Sequence, residues 1–246
     1  MLQDRLVAHR GFQKAYPENT LLAHRMAIAA GAHFIETDIQ FSADFQPVLY
    51  HDLAMKRLSG VENLVSNLTL AELARVPLHE PDRFGQRYID EPIAPLGDLV
   101  ALLAQHPGVC AFVEIKRSAL QFAGLDKTLD ILLPQLAPVA EQAVLISFDY
   151  DAIAAAHRRG WRRLGMVLQA WEDQFSPPVA ATPLEFLFCD LAKIPGEADL
   201  AAIAPKLVVY EVDDPGLARA LFARGADMVE TFDIGGMIQA LARKAL

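Results

Sequence analysis

The sequence has few cysteines and no long apolar run. Its two cysteines, Cys110 and Cys189, cannot form a framework of disulfide bonds, and each lies in an apolar stretch typical of a strand. We therefore expect two buried free thiols in a reducing compartment. No stretch reaches the ~18 apolar residues of a transmembrane helix, and the first residues lack the pattern of a signal peptide. These absences predict a cytoplasmic protein without stable membrane insertion.

Positive charge is also scarce. Lysine and arginine number 22 against 31 aspartate and glutamate residues, so the formal net charge is −9. Nucleic acids and anionic membranes are bound through basic surfaces, and the composition argues against both as partners. An anionic substrate would have to be held by a few local cations or by a metal ion.

What the sequence does have is apolar material in short, regularly spaced runs. Hydrophobic residues make up 53% of its 246 residues, which excludes a disordered or fibrous chain. Stretches rich in Ala and Leu separate the runs, and glycines typical of helix C-caps follow three of these stretches. The predicted strands are Leu6–His9, Phe34–Asp38, Val48–His51, Val109–Ile115, Val144–Phe148, Leu164–Leu168, Phe186–Cys189, Leu207–Val212 and Met228–Thr231. This alternation predicts an α/β protein, a (β/α)₈ or TIM barrel, with one strand more than the barrel needs.

The spacing of the second and third predicted strands identifies the extra one. A crossover between parallel strands takes a dozen or more residues, and fewer separate Asp38 from the run beginning at Val48. The sequence therefore predicts an antiparallel hairpin after strand 2. A turn centred on Asp44 and Phe45 would pair Asp38 with His51, and a slip of one residue is allowed because Phe45 is unfavourable in a tight turn. Either register brings His51 near Asp38.

The segment from about residue 52 to residue 108 is too long for a simple crossover. Its Thr69-Leu70-Ala71-Glu72 has the pattern of a capping box, and Leu96–Gln105 has helical character. We predict a small inserted subdomain before the Glu114 strand, within a single domain that spans residues 1–246. Elsewhere the sequence repeats itself weakly, since Ala30–Thr37 resembles Arg224–Thr231, which supports a repeated βα architecture.

Polar residues close four of the predicted strands, and barrel enzymes build their active sites at such carboxyl ends. The four motifs are His9-Arg10-Gly11, Glu36-Thr37-Asp38, His51-Asp52 and Glu114-Ile115-Lys116. Because residues two apart share one face of a strand, each carboxylate pair or carboxylate–lysine pair can point into the barrel. Three converging carboxylates need a cation to remain ionised together, and all-oxygen ligation favours Mg²⁺ or Ca²⁺ over zinc. For any pair alone, an ordinary ion pair at a strand end would be the better explanation.

Two histidines and two positively charged side chains complete a possible phosphate site. Arg10 offers a planar fork for phosphate oxygens and Lys116 a point charge, while His9 and His51 can serve as general base and general acid. Asn19 is either a helix N-cap or a contact to phosphate or metal. The other histidines are predicted to be solvated or capping residues: His24, His33, His79, His106 and His157.

Together with Pro17-Glu18-Asn19-Thr20 and Ser147-Phe148, these motifs resemble, in order and spacing, the glycerophosphodiester phosphodiesterase family of phospholipase C-like TIM barrels. The resemblance runs from Val7 to about Leu58 and returns at Phe112–Lys116. It implies a metal-dependent hydrolase that cleaves glycerophosphodiesters to sn-glycerol 3-phosphate and an alcohol.

The resemblance also implies the roles of individual residues. Glu36, Asp38 and Glu114 would hold one divalent cation, His9 and His51 would be the catalytic pair, and Arg10 and Lys116 would bind phosphate, with Glu18 and Asn19 as secondary candidates. We assign His9 as base and His51 as acid, and the attacking oxygen is either water or the substrate's 2-hydroxyl group.

The last third of the sequence departs from the family pattern. Tyr210-Glu211-Val212-Asp213 stands where relatives tend to have Trp-Thr-Val-Asn, and Thr231-Phe232-Asp233 where they tend to have Thr-Asp. This bears on the alcohol group that is accepted, and leaves two alternatives. One is a lysophospholipase D with an apolar groove supplied by Phe84, Tyr88 and Ile89. The other, disfavoured by the intact histidines and carboxylates, is an inactive phosphate-binding relative. The head group, the physiological metal and the oligomeric state stay open.

Overall fold

Eight parallel strands close into a barrel in the computed structural model, which describes residues 2–242. The strands are β1 (Leu6–Ala8), β2 (Phe34–Phe41), β3 (Pro47–Leu49), β4 (Cys110–Ile115), β5 (Ala143–Ser147), β6 (Leu164–Val167), β7 (Phe186–Asp190), β8 (Lys206–Tyr210) and β9 (Met228–Thr231). Strand β1 pairs in parallel with both β2 and β9, which closes the barrel, and β3 lies outside it as an antiparallel partner of β2. The predicted TIM barrel with a hairpin after strand 2 is confirmed.

Helices connect the barrel strands and cover them. They are α1 (Leu21–Ala29), α2 (Lys56–Ser59), α3 (Leu70–Leu73), α4 (Pro81–Phe84), α5 (Leu96–Gln105), α6 (Arg117–Ala123), α7 (Leu125–Leu136), α8 (Tyr150–Arg158), α9 (Pro177–Ala181), α10 (Pro215–Ala223) and α11 (Ile234–Ala242). Their starts follow the sequence, because the side chains of Thr20, Asp149 and Asp214 each accept a backbone N–H in the first turn of α1, α8 and α10. None of the described helices combines the length and the apolar character that crossing a membrane requires.

Apolar side chains fill the lower part of the barrel. The Phe112 ring meets the rings of Phe186 and Phe188 edge-on, with centroids 4.8 and 4.9 Å apart, and Val7 and Val144 pack beside them. Burying each of these side chains contributes about 1.5–3 kcal/mol. The polar residues therefore lie above this plug, at the carboxyl ends of the strands.

The register of the β2–β3 hairpin differs by one residue from the predicted register that pairs Asp38 with His51. Phe41 pairs with Pro47 and Ile39 with Leu49, and the Tyr50 N–H donates to the carbonyl of Asp38 at 3.0 Å. The partner of Asp38 is thus Tyr50 and not His51, a slip of one residue. The cause is the turn, which has three residues and ends on Phe45 with φ of 59°. A three-residue loop with a left-handed last residue is a common hairpin geometry, and it shifts the pairing by one.

The long segment before β4 contains three single-turn helices and its own small apolar cluster. Thr69 and Glu72 form the predicted capping box at the start of α3. Tyr50, Met55, Leu58 and Leu73 belong to a group of buried side chains separate from the barrel core. The assignment of residues 52–108 as an inserted subdomain stays a prediction. Outside this segment, Cys110 and Cys189 are buried and free, as expected.

Candidate active site

The loop after β1 carries the first pair of candidate residues. His9 and Arg10 directly follow the strand, and the Arg10 N–H donates to Glu36 Oε2 at 3.0 Å. Gly11 comes next with φ of 79°, and a Cβ atom there would stand 2.7 Å from the backbone of Ala23 in α1. Glycine is therefore needed for the chain to turn against the helix. This close packing holds Arg10 over the end of β2.

Three buried carboxylates converge where β2 pairs with β4. Asp38 pairs with Glu114 in the parallel register of the two strands, and Glu36 lies two residues earlier on the same face. One oxygen from each of the three lies within 4.8 Å of the others. Glu36 Oε1 is buried without a hydrogen-bond partner among the described residues. An all-oxygen set with an unsatisfied buried acceptor suits a hard divalent cation, and these residues could hold one.

The charges of the three carboxyl groups are unevenly balanced by protein groups. Burial, and then the charge of Asp38, raises the pKa of Glu36 well above its usual value, and the same two causes raise the pKa of Glu114. Burial would also raise the pKa of Asp38, but the charges of Lys116 and Arg10 outweigh it and hold that pKa low. A divalent cation bound between these residues would add the positive charge that favours the ionised forms of Glu36 and Glu114.

Arg10 and Lys116 flank the carboxylates. The Arg10 guanidinium contacts Asp38 Oδ2 through Nε at 3.3 Å and Glu18 Oε1 through Nη1 at 3.0 Å. The Lys116 Nζ lies 3.2 Å from Asp38 Oδ1 and 3.0 Å from Glu114 Oε1. Both side chains line the cavity at the barrel mouth, so both are placed to contact an anionic group there.

The two candidate histidines have different surroundings. His9 is buried, its ring stacks on Phe232 with centroids 4.8 Å apart, and its Nε2 is 3.7 Å from Glu36. Burial, and then the charge of Arg10, lowers the pKa of His9 well below its usual value, so this ring is neutral. His51 is more open, with 28% of its side chain exposed, and its Nδ1 is hydrogen-bonded to Asp52 at 2.7 Å. Both histidines line the same cavity.

Glu18 lies at the centre of an ion network behind the cavity. Its carboxylate, which is fully buried, accepts from Nη1 of Arg10 and from both Nη atoms of Arg57 at 2.9–3.0 Å. Arg57 in turn donates to both oxygens of Asp52, which holds His51. Burial opposes the charge on Glu18, but hydrogen bonds from Arg57 and the charge of Arg10 keep its pKa lowered. The sequence proposed Glu18 as a secondary residue but did not predict Arg57 as the link between the two histidine loops.

Asn19 is not the cap of α1, since Thr20 occupies that position. The Asn19 backbone is left-handed, with φ of 57°, and its side chain points to β2. Its Oδ1 accepts from the Thr37 hydroxyl at 2.7 Å and from the Asp38 N–H at 3.0 Å, while Nδ2 donates to Asp38 Oδ2 at 2.9 Å. Asn19 therefore orients a candidate metal ligand.

Replacing Asn19 with alanine should reduce the free energy of unfolding by at least about 2 kcal/mol, because it leaves buried groups of Thr37 and Asp38 unpaired. Cation affinity should fall as well, since the Asp38 carboxylate loses its orienting donor. Denaturant unfolding and calorimetric titration with Mg²⁺ measure the two effects. Asn67→Ala, at an exposed asparagine, is the control and should change neither. A variant of Asn19 with unchanged stability and cation affinity would contradict this role.

The cavity at the barrel mouth measures about 120 Å³ and has two unlike walls. One carries the candidate cation and phosphate residues, and the other is formed by apolar side chains with two further carboxylates. Residues of this second wall include Ile146, Phe148, Val167, Phe188, Tyr210, Glu211 and Glu230. Neither carboxylate was among the predicted site residues. The repeat noted in the sequence contained the signal, because it aligns Glu230 with Glu36.

Two minor predictions take a different outcome. His24 was expected to be solvated or capping, but it is fully buried in α1, and burial lowers its pKa to about 4.

Among the described residues, those that line the cavity at the barrel mouth do not include Phe84, Tyr88 or Ile89. The Tyr88 ring contacts the rings of Phe84 and Tyr16, and its hydroxyl donates to the carbonyl of Ala15. These contacts offer no support for a lipid groove at the mouth.

Comparison with known proteins yields a family and a fold. Residues 9–164 match the glycerophosphoryl diester phosphodiesterase family. A glycerophosphodiester phosphodiesterase of Bacillus altitudinis is 27% identical over 154 residues, which is 63% of this chain and 62% of the relative. Glycerophosphodiester phosphodiesterase 1 of Homo sapiens is 31% identical over 166 residues, 63% of this chain and 49% of the relative. The matches thus span less than two thirds of these curated relatives.

Solved structures show the same barrel. A phosphodiesterase of Oleispira antarctica, in complex with the product sn-glycerol 3-phosphate, superposes with a TM-score of 0.85 at 23% identity, covering 97% of each chain. The glycerophosphodiester phosphodiesterase of Agrobacterium tumefaciens gives 0.77 at 19% identity, covering 96% of this chain and 99% of its own. At these identities the likeness establishes the fold alone. Because the family match covers more than half of its residues, the chain belongs to the glycerophosphoryl diester phosphodiesterase family.

Proposed function

We propose that the protein is a phosphoric diester hydrolase that cleaves glycerophosphodiesters to sn-glycerol 3-phosphate and an alcohol. One observation carries the proposal: a carboxylate trio, two cationic side chains and two histidines meet at a single cavity at the carboxyl end of the barrel. Membership of the family supports it, as do the printed activities of the relatives and the product bound by the Oleispira antarctica phosphodiesterase. The substrate is thus a small molecule.

Glu36, Asp38 and Glu114 would hold one divalent cation, and their oxygen ligands favour Mg²⁺ or Ca²⁺. When bound, the cation would polarise the phosphoryl group and offset its negative charge. Arg10 and Lys116 bind the phosphate oxygens that carry the remaining charge, and the bonds of Arg10 to Glu18 and Asp38 fix its fork in place.

The histidines divide the proton transfers between them. His9 is neutral, so it can accept the proton of the attacking oxygen, which is water or the 2-hydroxyl group of the substrate. The hydrogen bond from His51 Nδ1 to Asp52 leaves Nε2 as the atom that exchanges a proton with the ligand. In-line displacement at phosphorus needs a base at the attacking oxygen and an acid at the leaving one. We therefore assign the acid role to His51.

Turnover of glycerophosphocholine with Mg²⁺ or Ca²⁺ tests the proposed function. We expect release of sn-glycerol 3-phosphate and choline, and release at least about 100-fold slower by the His9→Ala variant prepared in the same way, which excludes a contaminating phosphodiesterase. Faster cleavage of lysophosphatidylcholine would favour the lysophospholipase D activity instead. Cleavage of neither substrate, with product binding intact, would favour a phosphate-binding relative without activity.

A further inference from the structure

Glu230 is a buried carboxyl group in the second wall of the cavity that the reaction described above does not use. It lies on β9 beside β1, where it pairs with Val7, and only 3% of the residue is exposed. It immediately precedes Thr231, at one of the strand ends where the sequence departs from the family pattern.

The Glu230 side chain lacks the partners that a buried carboxyl group normally has. No described residue donates a hydrogen bond to its Oε1. Its backbone is satisfied, because the carbonyl accepts from the Val212 N–H at 2.8 Å, so the unmet requirement belongs to the side chain alone. Buried polar groups are nearly always hydrogen-bonded, and one left unpaired at a cavity indicates that a ligand completes it.

The neighbours of Glu230 determine which kind of ligand fits. One atom each of His9, Glu36 and Glu230 lie within 4.8 Å of one another. The second wall of the cavity also contains the apolar Val167 and Phe188. Glu36 and Glu230 each have one buried carboxyl oxygen without a hydrogen-bond partner among the described residues, and a hydroxyl group can donate to such an oxygen. A deprotonated phosphate oxygen has no hydrogen to donate, whereas a hydroxyl group on a short carbon chain can bond to these oxygens and contact the apolar residues of the wall.

Glu36 belongs both to the carboxylate trio and to the group around Glu230. A ligand held at its phosphate by Arg10 and Lys116 can therefore direct its carbon chain past Glu36 towards Glu230. Resting on the proposed function, we propose that Glu230 is a substrate-binding residue that holds a hydroxyl of the glycerol group, and so selects diesters with a polyol on that side of the phosphorus. The hydroxyl donates to the Glu230 carboxyl, and the glycerol carbons contact Val167 and Phe188.

Binding of three phosphate monoesters tests the proposal without requiring turnover. They are sn-glycerol 3-phosphate, propane-1,2-diol 1-phosphate, which lacks the terminal hydroxyl, and propane-1,3-diol monophosphate, which lacks the central one. Titration calorimetry at saturating Mg²⁺ compares the wild type with Glu230→Leu, Glu230→Gln and a control, Glu141→Gln, at an exposed residue.

We expect the wild type and the control to bind glycerol phosphate roughly 10- to 100-fold more tightly than at least one analogue, because losing the hydroxyl leaves the buried Glu230 carboxyl unpaired. Glu230→Leu should bind all three compounds alike, and Glu230→Gln should keep part of the preference, because its amide oxygen still accepts. Glu230→Leu should also melt at a higher temperature than the wild type, since it removes an unpaired buried carboxyl, and this excludes misfolding as the cause.

Equal binding of the three compounds by the wild type would overturn the proposal, as would an undiminished preference in Glu230→Leu. Titration with Mn²⁺ alone tests whether a second metal ion, instead of a hydroxyl group, binds at Glu230. Binding of two cations per wild-type chain and one per Glu230→Leu chain would make Glu230 a metal ligand and overturn the hydroxyl site. Failure of the hydrolysis assay with this binding preference intact would reject the proposed function and retain the hydroxyl site.

Discussion

Replacing His51 with alanine should lower kcat for glycerophosphocholine by at least about 100-fold, and the loss should disappear on a p-nitrophenyl phosphodiester. General acid–base catalysis contributes ~10²–10⁴-fold per group, and p-nitrophenolate leaves without a proton. His9→Ala should be slow on both substrates, because the attacking oxygen still needs a base. Steady-state kinetics with the two substrates measures the difference.

The control for both variants is His33→Ala, which removes an exposed imidazole outside the cavity and should leave kcat unchanged on either substrate. Recovery of His9→Ala on the activated substrate, in place of His51→Ala, would show that the two roles are exchanged. Recovery of neither variant would count against a division into acid and base.

Removal of divalent cations should abolish turnover altogether, and Mg²⁺ or Ca²⁺ should restore it. Glu114→Gln keeps the shape of the side chain but removes one ligand charge, and affinity for these ions depends strongly on the number of charged ligands. We therefore expect the cation dissociation constant of this variant to rise by at least about tenfold. Calorimetric titration of the EDTA-treated protein measures it directly, and activity against cation concentration gives an independent value.

Glu62→Gln provides the matched control, because Glu62 is exposed and contacts only Lys56 among the described residues. Its cation affinity should equal that of the wild type. Full activity in the presence of EDTA would contradict the assignment of Glu36, Asp38 and Glu114 as ligands, and so would a cation requirement unaltered in Glu114→Gln.

Much of this architecture could be predicted from the sequence because its signals are local. All nine strands appear as apolar runs, with ends that differ from the predicted ones by no more than three residues. The two-residue spacing of Glu36 and Asp38 places both on one face of β2, and the parallel pairing of β2 with β4 then brings Glu114 beside Asp38. The convergence of these three carboxylates could therefore be predicted from the sequence.

The rest depends on packing between distant segments. The hairpin register depends on the left-handed backbone conformation of Phe45, which the sequence alone does not indicate. Asn19 looked like a helix cap because its residue type suits one, but its side chain instead found partners on β2. The role of Arg57 could not be predicted, because nothing in its local sequence indicates a contact with Glu18, 39 positions earlier in the chain. Glu230 shared the Glu-Thr pattern of Glu36, but lay outside the motifs that carried the chemistry.

The network around Glu18 also bears on where this protein can change during evolution. Glu18 is shared by Arg10 and Arg57, and Arg57 is shared with Asp52, so a change at any one of them removes charge-assisted hydrogen bonds from its neighbours. The effects of substitutions on that side of the mouth are therefore coupled to one another. On the opposite side, Asp213 connects the ends of β8 and β9 through the Thr231 hydroxyl, but Glu211 there is 44% exposed. New substrate preferences in this lineage should accordingly arise from mutations at the ends of β8 and β9.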